Sequence, residues 1–368
     1  MTEPLRVCHV VNTVDTTSVP ADFAVAQARE GTVDPGVLAW FWEDEFDGRD
    51  HVTVRCADAP QGLPGIDRRS WTRASEMIQA YDIVQTHHNH SGTYAKLIAR
   101  RLGVPIVSVE QNNQRGFTRK GRVANTVTNL LADSVVCSSE GVRESFTRWQ
   151  RAITSDRNVR VIHNGANIER VRQSLDRDWN LRAELGVDAT ARLVGTAGRL
   201  VEQKAQDVLI RAVSLVTERL EREVHLVIAG EGELRGYLES VAEAEGIADS
   251  VHFVGLLERE RLYCLFDQVD VYAMPSRWEG FSAAAVEAMA AGATCVFSDI
   301  PELKNAYEGA ARFHPVDDEA ALAAEIGELL TNAELRAELS SAAWTRAERY
   351  STANIVREYE TLYRELLA

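Results

Sequence analysis

Short runs of apolar, mostly β-branched residues recur along the chain, and between them apolar positions fall at helical spacing. "LRVCHVVN", "YDIVQTH", "GVPIVSVE" and "ADSVVCSS" form a first series; "RLVGTAG", "VHLVIAG", "VHFVG", "VDVYAMP" and "ATCVFSD" form a second. These runs alternate little between apolar and polar. That is the pattern of strands buried on both faces of a parallel sheet and linked by covering helices. The expectation is an α/β chain of two doubly wound, Rossmann-like domains. Their joint is placed near "VIHNGANIERV", where a strand-like run ends at Asn164–Gly165, giving domains over 1–168 and 169–350. Past Ser351, a good cap residue, Ile355, Tyr359, Leu362, Tyr363 and Leu366 share one face of a helix over 351–368. That face is expected to pack on its own domain or to reach back to the first.

In open parallel sheets, ligands gather outside the carboxyl ends of the strands, so the residues that follow each run carry the chemical interest. After "RLVGTAG", Arg199 and Lys204 lie five apart on a loop and suit a diphosphate, the one as a fork and the other as a point charge. A solvated loop with two surface cations fits the same residues. After "VDVYAMP" comes "SRWEGFSAAAVEAMAAGA": Ser282 is a suitable N-cap, Ala283 to Ala291 a strong helix former, and Gly292 a stop. Glu279 then precedes the helix and Glu287 lies about one turn inside it. The helix start offers unpaired N–H groups to a phosphate. By spacing alone, a solvated helix entry accounts for the two glutamates better than a shared ligand does.

Other strand ends exclude or suggest less. "GEGELR" places Arg235 where a dinucleotide fingerprint has its third glycine, and "TVDTTSVP" after the first strand has no glycine at all. A nicotinamide or flavin site therefore has no support. "HHNHSG" carries His87, His88 and His90; His88 and His90 would share a side of an extended chain. No cysteine or carboxylate stands nearby in sequence to complete a metal site, so a hydrogen-bonding role lining a site is expected, with no bound metal.

Composition narrows the classes. The net charge is −15 over 368 residues, which argues against general affinity for nucleic acid. One basic cluster stands out against it, Arg115, Arg119, Lys120 and Arg122 in "RGFTRKGR", and suggests weak contact with an anionic lipid or a phosphate-bearing acceptor. The cysteines Cys8, Cys56, Cys137, Cys264 and Cys295 are scattered, with no CxxC pair, as expected of a reduced chain. Neither a leader pattern nor an apolar run of membrane-spanning length is present. A cytoplasmic location is expected, with peripheral contact at the inner face of a membrane through the basic cluster.

Taken in order, "GRLVEQKAQDVLIRA", "LVIAGEGELRGYLESVAEAEG", "VHFVGLLERERLYCLF" and "VDVYAMPSRWEGFSAAAVEAMAAG" resemble the retaining glycosyltransferases of family 4. The resemblance spans roughly 159 to 368 and implies the GT-B fold, two Rossmann-like domains facing across a cleft. It implies that the residues matching Arg199 and Lys204 hold a donor diphosphate, and that the glutamate matching Glu287 binds ribose hydroxyls. The one matching Glu279 lies beside the donor sugar, and the backbone of Gly280, Phe281 and Ser282 approaches the phosphates. The first half, "YDIVQTHHNHSGTYAKLIARRLGVP" and "VVCSSEGVRES", is similar to the family's acceptor domain and would bring His88, His90 and Gln111 to an acceptor or sugar site.

Two departures mark that half. "TVDTTSVP" replaces a glycine-rich turn, with Thr16, Thr17 and Ser18 standing in for its backbone contacts, and Gln111 stands where a histidine is common. Glutamine cannot act as an acid or base. The implied reaction moves a sugar from a nucleotide diphosphate donor to a hydroxyl of a glycan or lipid-linked acceptor with retention. It uses no cofactor and no metal, because the fixed cations stabilise the leaving diphosphate. The alternative is a non-catalytic member that binds a nucleotide sugar or acts as a scaffold.

Overall fold

The computed structural model describes residues 3–15, 18–46, 48–62, 65–87, 89–111, 119–154, 159–175, 179–220 and 222–368; for residues 89, 119–122 and 153 it describes the backbone only. Two compact units result: residues 1–165 with 352–368, and residues 166–351. The chain passes from the first to the second after Gly165 and returns after Ser351. Ala166 donates its N–H to the Tyr350 carbonyl at 2.9 Å and forms a parallel bridge with Ser351.

The first unit holds strands β1 (Leu5–Val14), β2 (Val33–Glu43), β3 (Thr53–Cys56), β4 (Ile83–Thr86), β5 (Ile106–Glu110), β6 (Ser134–Cys137) and β7 (Val159–Val161), in the order β3-β2-β1-β4-β5-β6-β7. The second holds β8 (Arg192–Ala197), β9 (Val224–Ala229), β10 (Val251–Gly255), β11 (Val271–Met274), β12 (Cys295–Ser298) and β13 (Arg312–His314), in the order β10-β9-β8-β11-β12-β13. Every pairing is parallel. In both sheets the order reverses at the first strand, so a crevice opens outside the carboxyl ends of β1 and β4, and of β8 and β11.

Alternation along each strand feeds two cores. In the second unit Leu193, Val227, Tyr272, Met274, Cys295 and Phe297 pack into one layer, while Val194, Leu226, Ile228, Val271, Ala273 and Val296 pack into the other. Both faces are covered, which explains the nearly continuous apolar runs. In the first unit, the helix Thr352–Leu367 covers one face: Ile355, Tyr359, Leu362 and Tyr363 pack with Val7, Val33, Ile83 and Val107. The C-terminal helix therefore belongs to the first unit.

The expected strands form, β7 lies at the strand-like run before Asn164–Gly165, and β2, β3 and β13 join them. Within β2, Pro35 and Gly36 interrupt the sequence pattern. β3 pairs with β2 only from Gly36 onward, so Pro35 lies where β2 has one neighbour, a place that tolerates proline. Gly36 is required for space, since a Cβ there would come within 1.8 Å of the Tyr81 hydroxyl. All five cysteines are free, four of them buried.

Candidate functional site

Two neighbouring loops build the β8/β11 crevice, one after each strand. After β8 the chain turns at Gly198 (φ 151°), and the Lys204 stem crosses it; a Cβ there would lie 3.3 Å from Lys204 Cε. Gly230, after β9 (φ 133°), passes so close that a Cβ would fall 2.0 Å from the Gly198 carbonyl. Backbone bonds from Leu200 N to Glu231 O at 3.0 Å, and from Leu234 N to Leu200 O at 3.0 Å, then fix the loop that carries Arg199. The glycines of "GEGELR" thus serve close loop packing.

The loop after β11 is fastened to the loop after β8. Arg277 donates its backbone N–H to Gln203 O at 2.8 Å and its guanidinium to Glu202 O at 2.6 Å and to Asp317 at 2.7 Å. Gln203 Nε2 donates to Trp278 O at 2.9 Å. These bonds bring Lys204 Nζ to 2.6 Å from Glu279 Oε1, with Glu279 only 4% exposed. Neither Arg277 nor Gln203 was legible as a site element, because their partners lie 40 to 75 residues away. Arg199 is exposed on the same loop.

The helix beyond spans Ala283–Ala290. Ser282 caps it, accepting from Ala285 N at 3.4 Å and donating to Met274 Sδ at 3.2 Å. Gly292 follows with φ 87°, as expected of a stop. Phe281 is turned toward the core, its ring 5.5 Å from that of Tyr350. Glu287 Oε1 accepts from the hydroxyl of Tyr263 at 3.4 Å. Burial, and then the Glu287 charge, push the Tyr263 pKa upward, so this hydroxyl stays a donor. The crevice therefore holds the Lys204–Glu279 pair just ahead of the helix Ala283–Ala290, with Arg199 on the same loop as Lys204 and Glu287 inside the helix against Tyr263. Such a set can grip a diphosphate at one end and hydroxyls at the other.

At the β1/β4 crevice, the expected pair His88 and His90 falls partly outside what the structure describes. Thr16, Thr17, His88 and Arg115 lie outside the described residues, as do the side chains of Arg119, Lys120 and Arg122. His90 packs edge-on to Phe41 at 5.1 Å and near Tyr94. Instead His87, just past β4, is central: its Nε2 is 3.0 Å from His9 Nδ1, and its Nδ1 is 3.5 Å from Gln111 Nε2. The backbone carbonyl of Gln111 accepts from Ser138 Oγ at 3.2 Å. Nearby, Asn12 Oδ1 accepts from Ser91 N at 3.3 Å. Among the described residues, no group of three or more His, Cys, Asp or Glu is placed to hold a metal ion.

With this geometry in hand, comparisons add relatives. Residues 177–346 match the family model described as glycosyl transferases group 1, and residues 19–170 that of glycosyltransferase family 4. The chain is 32% identical to a D-inositol 3-phosphate glycosyltransferase of Corynebacterium urealyticum, over 78% of this chain and 72% of that one. It is 31% identical to another so named in Streptomyces scabiei, over 73% and 65%. To an uncharacterized glycosyltransferase of Methanocaldococcus jannaschii it is 31% identical, over 61% of this chain and 59% of the relative. The match thus spans about three fifths to three quarters of these relatives.

In fold, the chain superposes on Anabaena HepE, solved with UDP and glucose, at a TM-score of 0.80 and 18% identity, covering 98% of this chain and 100% of that one. It superposes on sucrose-phosphate synthase from Thermosynechococcus elongatus at 0.79 and 18% identity, over 99% of each.

Proposed function

The chain belongs to the glycosyl transferases of group 1, and on that footing we propose that it moves a sugar from a nucleotide diphosphate donor to a hydroxyl, with retention of anomeric configuration. The observation that carries the proposal is the Lys204–Glu279 pair at the strand-order reversal of the second unit, where a parallel sheet receives its ligand. In this reading Lys204 and Arg199 hold the diphosphate, helped by the N–H groups from Gly280 to Ser282. Glu287, steadied by Tyr263, takes the ribose hydroxyls. Glu279 lies beside the donor sugar and sets the position of the Lys204 ammonium. The negative charge that grows on the departing diphosphate meets cations already in place, so the reading needs neither a metal nor a cofactor.

The acceptor hydroxyl is assigned to the β1/β4 crevice of the first unit, beside Gln111 and His87. It belongs to a glycan, a lipid-linked sugar or, after the names of the two bacterial relatives, a phosphorylated polyol. Weak attachment to an anionic lipid surface accompanies this. The helix Arg119–Asn129 opens with Arg119, Lys120 and Arg122; Val123 (53%) and Val127 (49%), four apart, are exposed on one face of it, and Leu130 (56%) is exposed just past its end. No helix among the described residues is long and apolar enough to cross a membrane.

A thermal-shift panel of UDP, GDP, ADP and their sugars tests the donor site. A ligand at a hundred times its dissociation constant adds about 2.7 kcal/mol to the state that binds it. No stabilisation by any nucleotide overturns the reading. Stabilisation without sugar release from any donor, whatever the acceptor, favours the non-catalytic alternative.

A further inference from the structure

Beneath the β1/β4 crevice lies a closed circuit of five polar side chains that the donor chemistry does not use. His9 in β1 and Gln85 in β4 are register partners, on the sheet face that the C-terminal helix covers. His9 Nε2 lies 2.7 Å from Gln27 Oε1, and Gln27 Nε2 donates to the Tyr363 hydroxyl at 3.1 Å. Tyr363 donates to Gln85 Oε1 at 2.5 Å, Gln85 Nε2 stands 3.3 Å from His87 Nε2, and that nitrogen returns to His9 Nδ1 at 3.0 Å. His9, Gln27, Gln85 and Tyr363 are fully buried and His87 is 6% exposed.

Hydrogens around this circuit can be counted. Each contact needs one hydrogen, each amide presents a donor at one end and an acceptor at the other, and a neutral imidazole has one N–H. With His9 carrying its hydrogen on Nε2, Gln27 accepts there and donates to Tyr363, which donates to Gln85. His9 Nδ1 is then a lone pair, so His87 Nε2 must carry the hydrogen between them. The Gln85 amino group meets that N–H, and this contact, the longest of the five, goes unmade. Reversing both amides and the hydroxyl moves the hydrogens the other way round and strands the same contact. A circuit with two neutral histidines therefore always lacks one bond. Burial keeps His9 neutral, its pKa lowered to about 4 against the opposing Gln27 bond.

The two orders differ in which nitrogen of His87 carries the hydrogen. The short Tyr363–Gln85 contact, against the longer Gln27–Tyr363 one, fits a hydroxyl donating to Gln85, which is the first order. We propose that Tyr363 of the C-terminal helix, acting through Gln85, Gln27 and His9, is a positioning residue that fixes His87 as its Nε2–H tautomer, and that His87 Nδ1 with Gln111 Nε2 makes a donor–acceptor pair for one hydroxyl. The hydroxyl oxygen accepts from Gln111 and its hydrogen is donated to Nδ1. A glutamine serves this pairing, where proton transfer is not asked of it. This inference rests on the acceptor-side reading of the β1/β4 crevice.

Nitrogen-15 spectra of the histidine rings in the full chain test it, with His87 assigned by loss of its signals in His87→Asn. The wild type should show His87 as one tautomer, with its hydrogen on Nε2. Tyr363→Phe opens the circuit and should give a mixture of tautomers; Gln27→Leu opens it from another helix and should do the same. A wild-type mixture, or a tautomer untouched by both variants, overturns the circuit. Glycerol at molar concentration is the hydroxyl probe: it should move the His87 Nδ1 signal in the wild type and not in Gln111→Leu. No movement in the wild type overturns the hydroxyl pair. Neither readout involves a nucleotide sugar, so its failure is distinct from failure of the donor site.

Discussion

Lys204 Nζ and Glu279 Oε1 stand 2.6 Å apart although 75 residues separate them in the chain. One ends the loop after β8 and the other sits on the loop after β11, and these strands are neighbours only because the sheet order reverses between them. Their side chains are largely shielded, at 18% and 5% exposure, so neither charge is merely a surface decoration.

In steady-state assays with the donor that the thermal-shift panel selects, Lys204→Ala and Glu279→Gln should each lower kcat by about a hundredfold, the scale of a lost transition-state contact. The two losses should not add in the double variant, since each single change already breaks the pair. Two variants with wild-type kcat would remove the pair from the reaction.

Glu287 should behave differently. Ribose changes little between ground state and transition state, so its loss removes uniform binding. Glu287→Gln should raise donor KM more than it lowers kcat. A fall in kcat with KM unchanged would contradict the ribose assignment.

Leu362→Ala should destabilise the first unit by about 2–5 kcal/mol, because Leu362 is 1% exposed against the sheet. Removal of 352–368 uncovers Ile355, Tyr359, Leu362 and Tyr363 partners together. At roughly 1.5–3 kcal/mol per side chain, that approaches the whole stability of a domain. Denaturant melts and limited proteolysis of the truncated chain check this, and an unchanged melt would be decisive against it.

Acid should weaken the fold through His9. Its folded-state pKa is lowered from 6.5 to about 4 by burial. Between those values the unfolded chain binds the extra proton, so stability is full above pH 6.5 and falls as the pH drops towards 4, by about 3 kcal/mol in all. Urea midpoints between pH 7.5 and 4.5 should show a shallower pH slope for His9→Asn than for the wild type. Equal slopes would show that His9 is not the group responsible.

Attachment to vesicles containing phosphatidylserine should be weak and reversed by salt, with about 1 kcal/mol per basic residue near the surface. Val127→Asp should reduce it by placing a charge on the exposed face of the helix Arg119–Asn129. Equal sedimentation with and without vesicles at low salt would end this proposal.

The second unit was more legible in sequence than the first, for physical reasons. Strands covered on both faces read as unbroken apolar runs, and Ser282 and Gly292 bracket their helix as local chemistry requires. β2 is hard to read in sequence because Pro35 and Gly36 interrupt its apolar run; the space that Tyr81 takes beside Gly36 is a tertiary fact. β13 is three residues with a charge at its start. At the sites, Arg199 and Lys204 stood out by position after a strand, whereas Glu279 and Glu287 stood out through the family resemblance and not through their spacing. Arg277 and Tyr263 did not, since they act through partners distant in sequence. His87 stood in plain view beside His88 and His90, yet only the fold could single it out, through His9 and Gln111.

The C-terminal helix also imposes an order of events on the ribosome. The second unit is one continuous stretch, 166–351, and can close its two cores as soon as it has emerged. The first unit begins earlier but finishes later. Until residues 355 to 363 leave the exit tunnel, the part of its sheet with Val7, Val33, Ile83 and Val107 lacks the cover of that helix, and the His9 circuit lacks its tyrosine. The earliest-made half is thus the last to mature, and every chain spends the interval with those apolar positions open to chaperones. A nonsense mutation that spares the whole donor-side unit would still leave them without that cover for good.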